Sequence, residues 1–399
     1  MYKLRQNKLF YVIAFGLIAC AVYGVGAGIR SNIGILLSPM AEQCGIAYKD
    51  ASLCVAVMQL VFGTSQPLFG ILASRKSNRF VLFTGVVLLA LSMVGIMTAT
   101  SFAMLFLSLS ILFGLGTGAI AFGIVLTSAI CFVGKEHAMT MSGMLNASAG
   151  MVGFIFAPLI NALINRGGIR LNSIFMIGVF IVLIPLSIVL TSKDSVVSKK
   201  EVQERTNLPF KEAFKSRTYL LLLAGFSTCG FHMVIIESHL FSQYISYNID
   251  SNHASWAFSF YGIMTIVGAL LSGLLSTKID KGKLLAFYYG FRAVWVCVYL
   301  FLLPKNFTTA VLFSAGLGLT GDATVSPTSG LVNEKFDLKH VATLIGLLFL
   351  VHQIGAFFSA YLGGIFVSAT GNYNTIWIID IALCLFASSM SFMIKPSRC

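Results

Sequence analysis

Gly70-Ile-Leu-Ala-Ser-Arg75 ends one long apolar run, and 203 positions later Gly273-Leu-Leu-Ser-Thr-Lys278 ends another. Each stretch sets a basic residue five positions after a glycine and directly after a small hydroxyl residue. Each then opens a short basic link, with Arg75, Lys76 and Arg79 in the first and Lys278, Lys281 and Lys283 in the second. A repeat of this period splits the 399 residues into two similar halves.

The segments around these links are apolar over lengths that span a bilayer. A membrane helix needs about 20 mostly apolar residues. Such runs lie near 10–39, 51–73, 80–99, 103–132, 138–164 and 171–191, and again near 218–246, 254–277, 284–303, 307–330, 341–369 and 373–394. The polar stretch 192–217 separates the two sets of six. The sequence therefore predicts an all-α integral membrane protein with twelve transmembrane helices in two six-helix pseudo-repeats. Residues 1–191 form the first half, 192–217 a cytoplasmic central loop and 218–399 the second half. Composition agrees, with 57% hydrophobic and only 10% charged residues, where soluble domains carry about 25% charged residues. Lipid tails accept the apolar surface that water would not.

The net charge of +13 does not indicate nucleic acid, because the basic residues lie in short clusters between apolar runs and form no basic face. Those clusters set the orientation instead. With the N-terminus in the cytoplasm, the inner segments hold 21 of the 27 basic residues and the outer loops hold four, while Arg30 and Arg292 fall inside spans. Both termini are thus expected inside, in a bacterial cytoplasmic (inner) membrane. The eight cysteines include no CxxC pair and fall mostly in apolar runs. They read as small hydrophobes, with no metal site or disulfide framework expected.

A parallel repeat of two six-helix halves joined by a central loop resembles the major facilitator superfamily. The superfamily's link signature is GxxxDR followed by a glycine and basic residues. Here Ser74 and Thr277 stand in the aspartate position, while Gly70, Arg75, Arg79, Gly273 and Lys278 retain the remaining features. By resemblance, these residues and Ser74 form the conformational-gating motif. Gly28-Ile-Arg30, Cys229-Gly-Phe-His232, Leu284-Leu-Ala-Phe-Tyr-Tyr-Gly-Phe-Arg292, Pro327-Thr-Ser-Gly330 and His352-Gln-Ile-Gly-Ala-Phe357 also resemble a bacterial branch related to the monocarboxylate porters and oxalate/formate antiporters. The resemblance places Arg30 where the porters carry a substrate-responsive lysine, and His352 where the oxalate carrier has a substrate-binding lysine. The porters' span-8 arginine corresponds to Ala269 and a nearby aspartate to Thr265, so that part of the pattern is missing. Arg292, one span later, is the expected substitute.

A charge near the bilayer centre costs roughly 2.5–3.5 kcal/mol on insertion scales, so intramembrane ionisable residues are functional candidates. Arg30, Arg292, His232, His352 and Gln353 are the expected substrate-binding set. An arginine stays charged and presents a fork matched to a carboxylate, and histidine is a neutral donor or a proton carrier. The alternative for Arg30 is an internal pair with an acid such as Glu237 or Asp322. His352, Asp322 and Glu237 are the expected proton-coupling residues. Glu237 and His239 also read as outer-gate or rim positions, and Asp380 as structural. Gly114, Gly116, Gly118 and Gly123, with Gly143, Gly150 and Gly153, suit close helix packing, and Pro158 suits a kink.

Taken with the resemblance, these residues imply a secondary active transporter of a small organic anion, a monocarboxylate, coupled to protons by alternating access. An anion exchanger would need the same cations without a proton site, and an exporter of amphipathic compounds would need an aromatic cavity with one acid. A nutrient sensor on this fold would carry a long cytoplasmic extension. No residue arrangement indicates an enzyme or a nucleotide-binding cofactor site, and a monomer is expected.

Overall fold

The computed structural model describes residues 2–134, 137–193, 213–336 and 338–395, with side chains omitted for 2–11, 338, 339 and 342. The side chains of Lys3, Arg5, Lys8 and Lys339, together with Lys135, Arg398 and most of the expected central loop, lie outside the described residues. The described chain is helical throughout and holds no strand.

Helix α1 runs over Tyr2–Ser31 and resumes as Ile33–Cys44. It is followed by α2 (Tyr48–Arg75), α3 (Asn78–Thr98) and α4 (Phe102–Val133). The 53-residue element Ala138–Leu190 would be about 80 Å long if straight, against a hydrocarbon core of about 30 Å. Its backbone leaves helical values at Gly167 and Gly168. Gly168 takes φ 62° and ψ −162°, which a side chain would forbid. The element therefore makes two passes, α5 (138–166) and α6 (169–190). Pro158 stays within helical backbone.

The second half comprises α7 (Arg217–Ser246), α8 (Ser251–Leu275) and α9 (Lys281–Leu302). Helix α10 is assembled from Phe307–Gly321, a 3₁₀ turn at Asp322–Thr324 and Val325–Lys335. Helices α11 (Leu338–Thr370) and α12 (Asn374–Phe392) complete the chain. Ten described helices are long and apolar enough to cross a membrane. Dividing the 53-residue element and counting the interrupted α10 gives twelve helical segments among the described residues.

The breaks follow the repeat. Helix α1 is interrupted at Asn32 and α7 widens into a π-helical turn at Ile236–Leu240, next to the position 203 residues later. Helix α4 breaks at Ile120 and Ala121, the latter at ψ 157°, and α10 breaks at Asp322–Thr324, again at that offset. Interrupted helices at membrane depth persist where the freed backbone groups find partners or line a cavity.

The halves meet along α2 against α11 and α5 against α8. Small residues set the approach. A Cβ on Gly63 would come within 2.6 Å of Gln353, and one on Gly150 within 2.6 Å of the Gly262 carbonyl. Beyond these levels the same helix faces are uncovered. Pro67 and Gly70 on α2, Phe349 and Gly346 on α11, and Asn146 and Gly143 on α5 are exposed. A side chain added at Gly70, Gly143 or Gly346 would meet nothing within 4 Å. The halves thus touch at the Tyr48 end and part toward the Arg75 end, the end that the sequence reading expects on the cytoplasmic side.

Candidate functional site

One turn to the Tyr48 side of the Gly63–Gln353 contact, Arg30 of α1 reaches across to α7. Its Nη1 donates to Glu237 Oε2 at 2.9 Å and to Gln59 Oε1 at 3.1 Å. Gln59 Nε2 donates to the same Glu237 oxygen at 3.5 Å. The guanidinium lies 4.9 Å above the Phe62 ring, a cation–π position. The Arg30 side chain keeps 18% exposure and Glu237 only 4%. The interrupted helices permit this meeting, since a Cβ on Gly34 would approach the Glu237 carbonyl to 2.5 Å. Glu237 therefore sits deep in the inter-half interface rather than at the rim.

Asp322 and His352 lie within electrostatic reach of Arg30 and Glu237. Asp322 sits on the α10 break and is partly exposed. Among the described residues its carboxylate makes no hydrogen bond or ion pair. His352 is buried against the Phe226 ring at 5.1 Å, and its Nδ1 has no partner. Gln353, packed on Gly63, leaves Oε1 unpartnered.

Arg292 occupies a different position. It is fully buried, and its Nη2 donates to the Gly321 carbonyl at 2.8 Å and to that of Thr320. Its Nη1 lies 3.4 Å from Cys229 Sγ, and the guanidinium lies 5.2 Å over Tyr289. The last carbonyls of a helix lack intrahelical partners and carry partial negative charge. Arg292 thus caps the helix Phe307–Gly321 immediately before Asp322.

His232 is also buried away from Arg30. Its Nδ1 meets Asp380 Oδ2 of α12 at 2.8 Å, with both side chains fully buried. Cys384 completes a cluster whose donor atoms lie within 4.8 Å of one another. The repeat offset places His232 next to the position equivalent to Arg30, but its side chain joins α7 to α12 within one half.

Toward the Tyr48 end, His239 bridges the halves. Its Nε2 lies 3.1 Å from the Ala360 carbonyl and its Nδ1 2.9 Å from Tyr48 Oη. A carbonyl only accepts, so Nε2 carries a proton; in the neutral ring Tyr48 donates to Nδ1. Asn161 donates to Asn252 at 3.1 Å and Asn165 to Ser251 at 3.0 Å, adding cross-half bonds. A cavity of about 380 Å³ lies alongside, lined by Ser38, Tyr48, Asn161, Ser242 and Tyr373 among others.

In the links, Ser74 Oγ donates to the Ile71 carbonyl of its own helix at 2.8 Å, and Gly70, Arg75, Arg79 and Lys278 are exposed. The second link has a carboxylate two residues beyond Lys278. Asp280 Oδ1 accepts from the Lys283 amide at 2.9 Å, capping α9. Lys281 pairs with Glu334 at the end of α10, while Gly273 faces Ser326.

Sequence reasoning missed three participants. Gln59 joins the ion pair directly. Tyr261 of α8 is buried with its hydroxyl unpartnered, within electrostatic reach of Glu237 and Asp322, and a Cβ on Gly321 would lie 3.3 Å from it. Tyr23 of α1 lies within electrostatic reach of Arg30, Asp322 and Glu237. Tyrosine and glutamine are ordinary in such spans, and no local pattern marks these. Thr265, at the missing porter aspartate position, donates to the Gly262 carbonyl at 2.7 Å and packs near Gly150 and Gly321.

The sequence profile of the Major Facilitator Superfamily matches residues 17–247 and 240–398. The uncharacterized MFS-type transporter YcxA of Bacillus subtilis (strain 168) is 24% identical over 393 residues, covering 96% of this chain and 94% of that protein. Monocarboxylate transporter 13 of Rattus norvegicus is 26% identical over 374 residues, covering 91% of this chain and 84% of its own. Monocarboxylate transporter 12-B of Danio rerio is 21% identical, covering 83% and 76%. With the profile matching both halves of a broken-helix, all-α membrane fold, the chain belongs to the Major Facilitator Superfamily and is a transporter of that family.

Proposed function

We propose that the protein is a secondary carrier of a small monocarboxylate, moved together with a proton by alternating access between the halves 1–191 and 218–399. The observation that carries this reading is the partly buried Arg30–Glu237 pair across the inter-half interface. A guanidinium binds one carboxylate as well as another. Glu237 therefore occupies the seat that a substrate carboxylate would take. Two anions sharing one arginine repel each other, so substrate displaces Glu237 most easily once Glu237 has taken up a proton. Substrate and proton then bind with positive, reciprocal coupling.

Geometry favours Glu237 over His352 and Asp322 as the coupling residue, because it contacts Arg30 directly. His352, with a free Nδ1, supports a role as a hydrogen-bonding neighbour of the substrate. Forming or breaking the pair also links α1 to α7, so loading biases the rocking of the halves. The basic links around Arg75, Arg79 and Lys278 would face the cytoplasm, with both termini, and act as the gating motif. The names of the monocarboxylate transporters among the relatives support the substrate class.

Uptake of a panel of labelled carboxylates into proteoliposomes, with and without an imposed pH gradient, tests this. Gradient-driven accumulation by wild-type protein that is lost in Arg30→Gln supports it. Gradient-independent exchange, or unchanged transport by Arg30→Gln, contradicts it.

A further inference from the structure

The ion pair leaves a neighbouring carboxyl group unpaired. Asp322 is partly exposed, sits on the α10 break and makes no hydrogen bond or ion pair among the described residues. Its cationic neighbours are each engaged elsewhere: Arg30 on Glu237, and Arg292 on the backbone carbonyls of Thr320 and Gly321. Two further groups near Asp322 lack partners, the buried Tyr261 hydroxyl, packed against Gly321, and His352 Nδ1. Both lie within electrostatic reach of Asp322. A buried polar group is normally satisfied, so a cluster of unsatisfied ones needs an explanation. A lone carboxylate attracts a cation, and unpaired charge at membrane depth is unfavourable unless a partner arrives.

We propose that the substrate is a zwitterion: its carboxylate is held by Arg30 and its cationic nitrogen rests against Asp322, with Tyr261 and His352 as flanking hydrogen-bonding groups. This rests on the carboxylate reading of Arg30 and narrows its substrate class. A substrate of this kind meets a positive group at Arg30 and a negative group at Asp322, two partly exposed side chains within electrostatic reach of each other. A plain monocarboxylate would satisfy Arg30 and leave Asp322 unpaired and repelling it. The arrangement therefore selects carboxylates that bear an ammonium or guanidinium group.

The test uses purified full-length protein and pairs of labelled acids that differ only in an amine: propionate with 3-aminopropionate, butyrate with 4-aminobutyrate, and hexanoate with 6-aminohexanoate. At least one aminated acid is expected to compete or be transported at least tenfold better than its parent. Asp322→Asn is expected to erase that difference by lowering the aminated member to the level of its parent. A wild-type protein that takes no aminated acid better than its parent overturns the proposal without recourse to a variant. Equal loss of both members in Asp322→Asn, in protein with wild-type melting behaviour, also overturns it and assigns Asp322 to the proton. Failure of the carboxylate reading has its own signature, which is Arg30→Gln leaving the whole acid panel unaffected.

Discussion

Replacing Glu237 by glutamine keeps the side chain's size and removes its charge. In the wild-type protein a substrate carboxylate must displace Glu237 from Arg30, to which it is bound at 2.9 Å with 4% exposure. A hydrogen bond to a charged group contributes about 1.5–3 kcal/mol. At about 1.4 kcal/mol per decade, relief of that competition corresponds to roughly a ten- to hundredfold gain in substrate affinity where Glu237 is ionised. The sign follows from the competition. Protonation removes the rival anion, so wild-type affinity should tighten as pH falls, whereas Glu237→Gln should bind tightly at every pH. The variant should also keep exchange at symmetric pH and lose gradient-driven accumulation, because the proton site is gone. Equilibrium binding of labelled substrate in detergent at pH 6 and pH 8 reads both effects. An affinity at pH 8 equal to wild type, or a pH slope that survives the substitution, would refute the reasoning and move the coupling to His352 or Asp322.

Arg292→Ala leaves the carbonyls of Thr320 and Gly321 unsatisfied in a fully buried site, which should destabilise the protein by about 1–3 kcal/mol per group; thermal unfolding in detergent measures it. An unchanged melting temperature together with a loss of substrate affinity would instead make Arg292 a direct ligand. Gly363→Ala would drive a methyl group into the His239 ring, displacing it from Tyr48 and Ala360. With each hydrogen bond worth about 1 kcal/mol, a cysteine placed at the buried Ser242 beside this junction should react several-fold faster with an impermeant maleimide from the outer side. An unchanged rate would show that the junction does not hold that side closed.

The spans were legible because lipid imposes a length and a composition on every crossing helix, and the repeat was legible at Gly70 and Gly273. The bend at Gly167–Gly168 lies between two apolar runs already read as separate spans. Within the site, Arg30, Glu237, Asp322 and His352 stood out because charge and histidine are costly inside a span. An internal Arg30 pair was legible only as a choice between Glu237 and Asp322, because which acid it meets depends on how the two halves come together. The offset of 203 aligned His232 with Arg30, yet the His232 ring turns toward Asp380. Arg292 was equally conspicuous in sequence, but its fork is used on the backbone of a broken helix, and no pattern announces a break of that kind. Gln59 and Tyr261 entered through tertiary position alone, as did the joining of Tyr48 to His239.

The most direct measurement is the simultaneous flux of carboxylate and protons into proteoliposomes that enclose a pH-sensitive dye, with empty liposomes correcting for passive entry of the neutral acid. Inward movement of a carboxylate should carry protons with it in fixed proportion above that background, and Arg30→Gln should abolish both fluxes together. Carboxylate uptake without accompanying proton movement, or both fluxes persisting in Arg30→Gln, would contradict proton-coupled carboxylate transport through the Arg30 site.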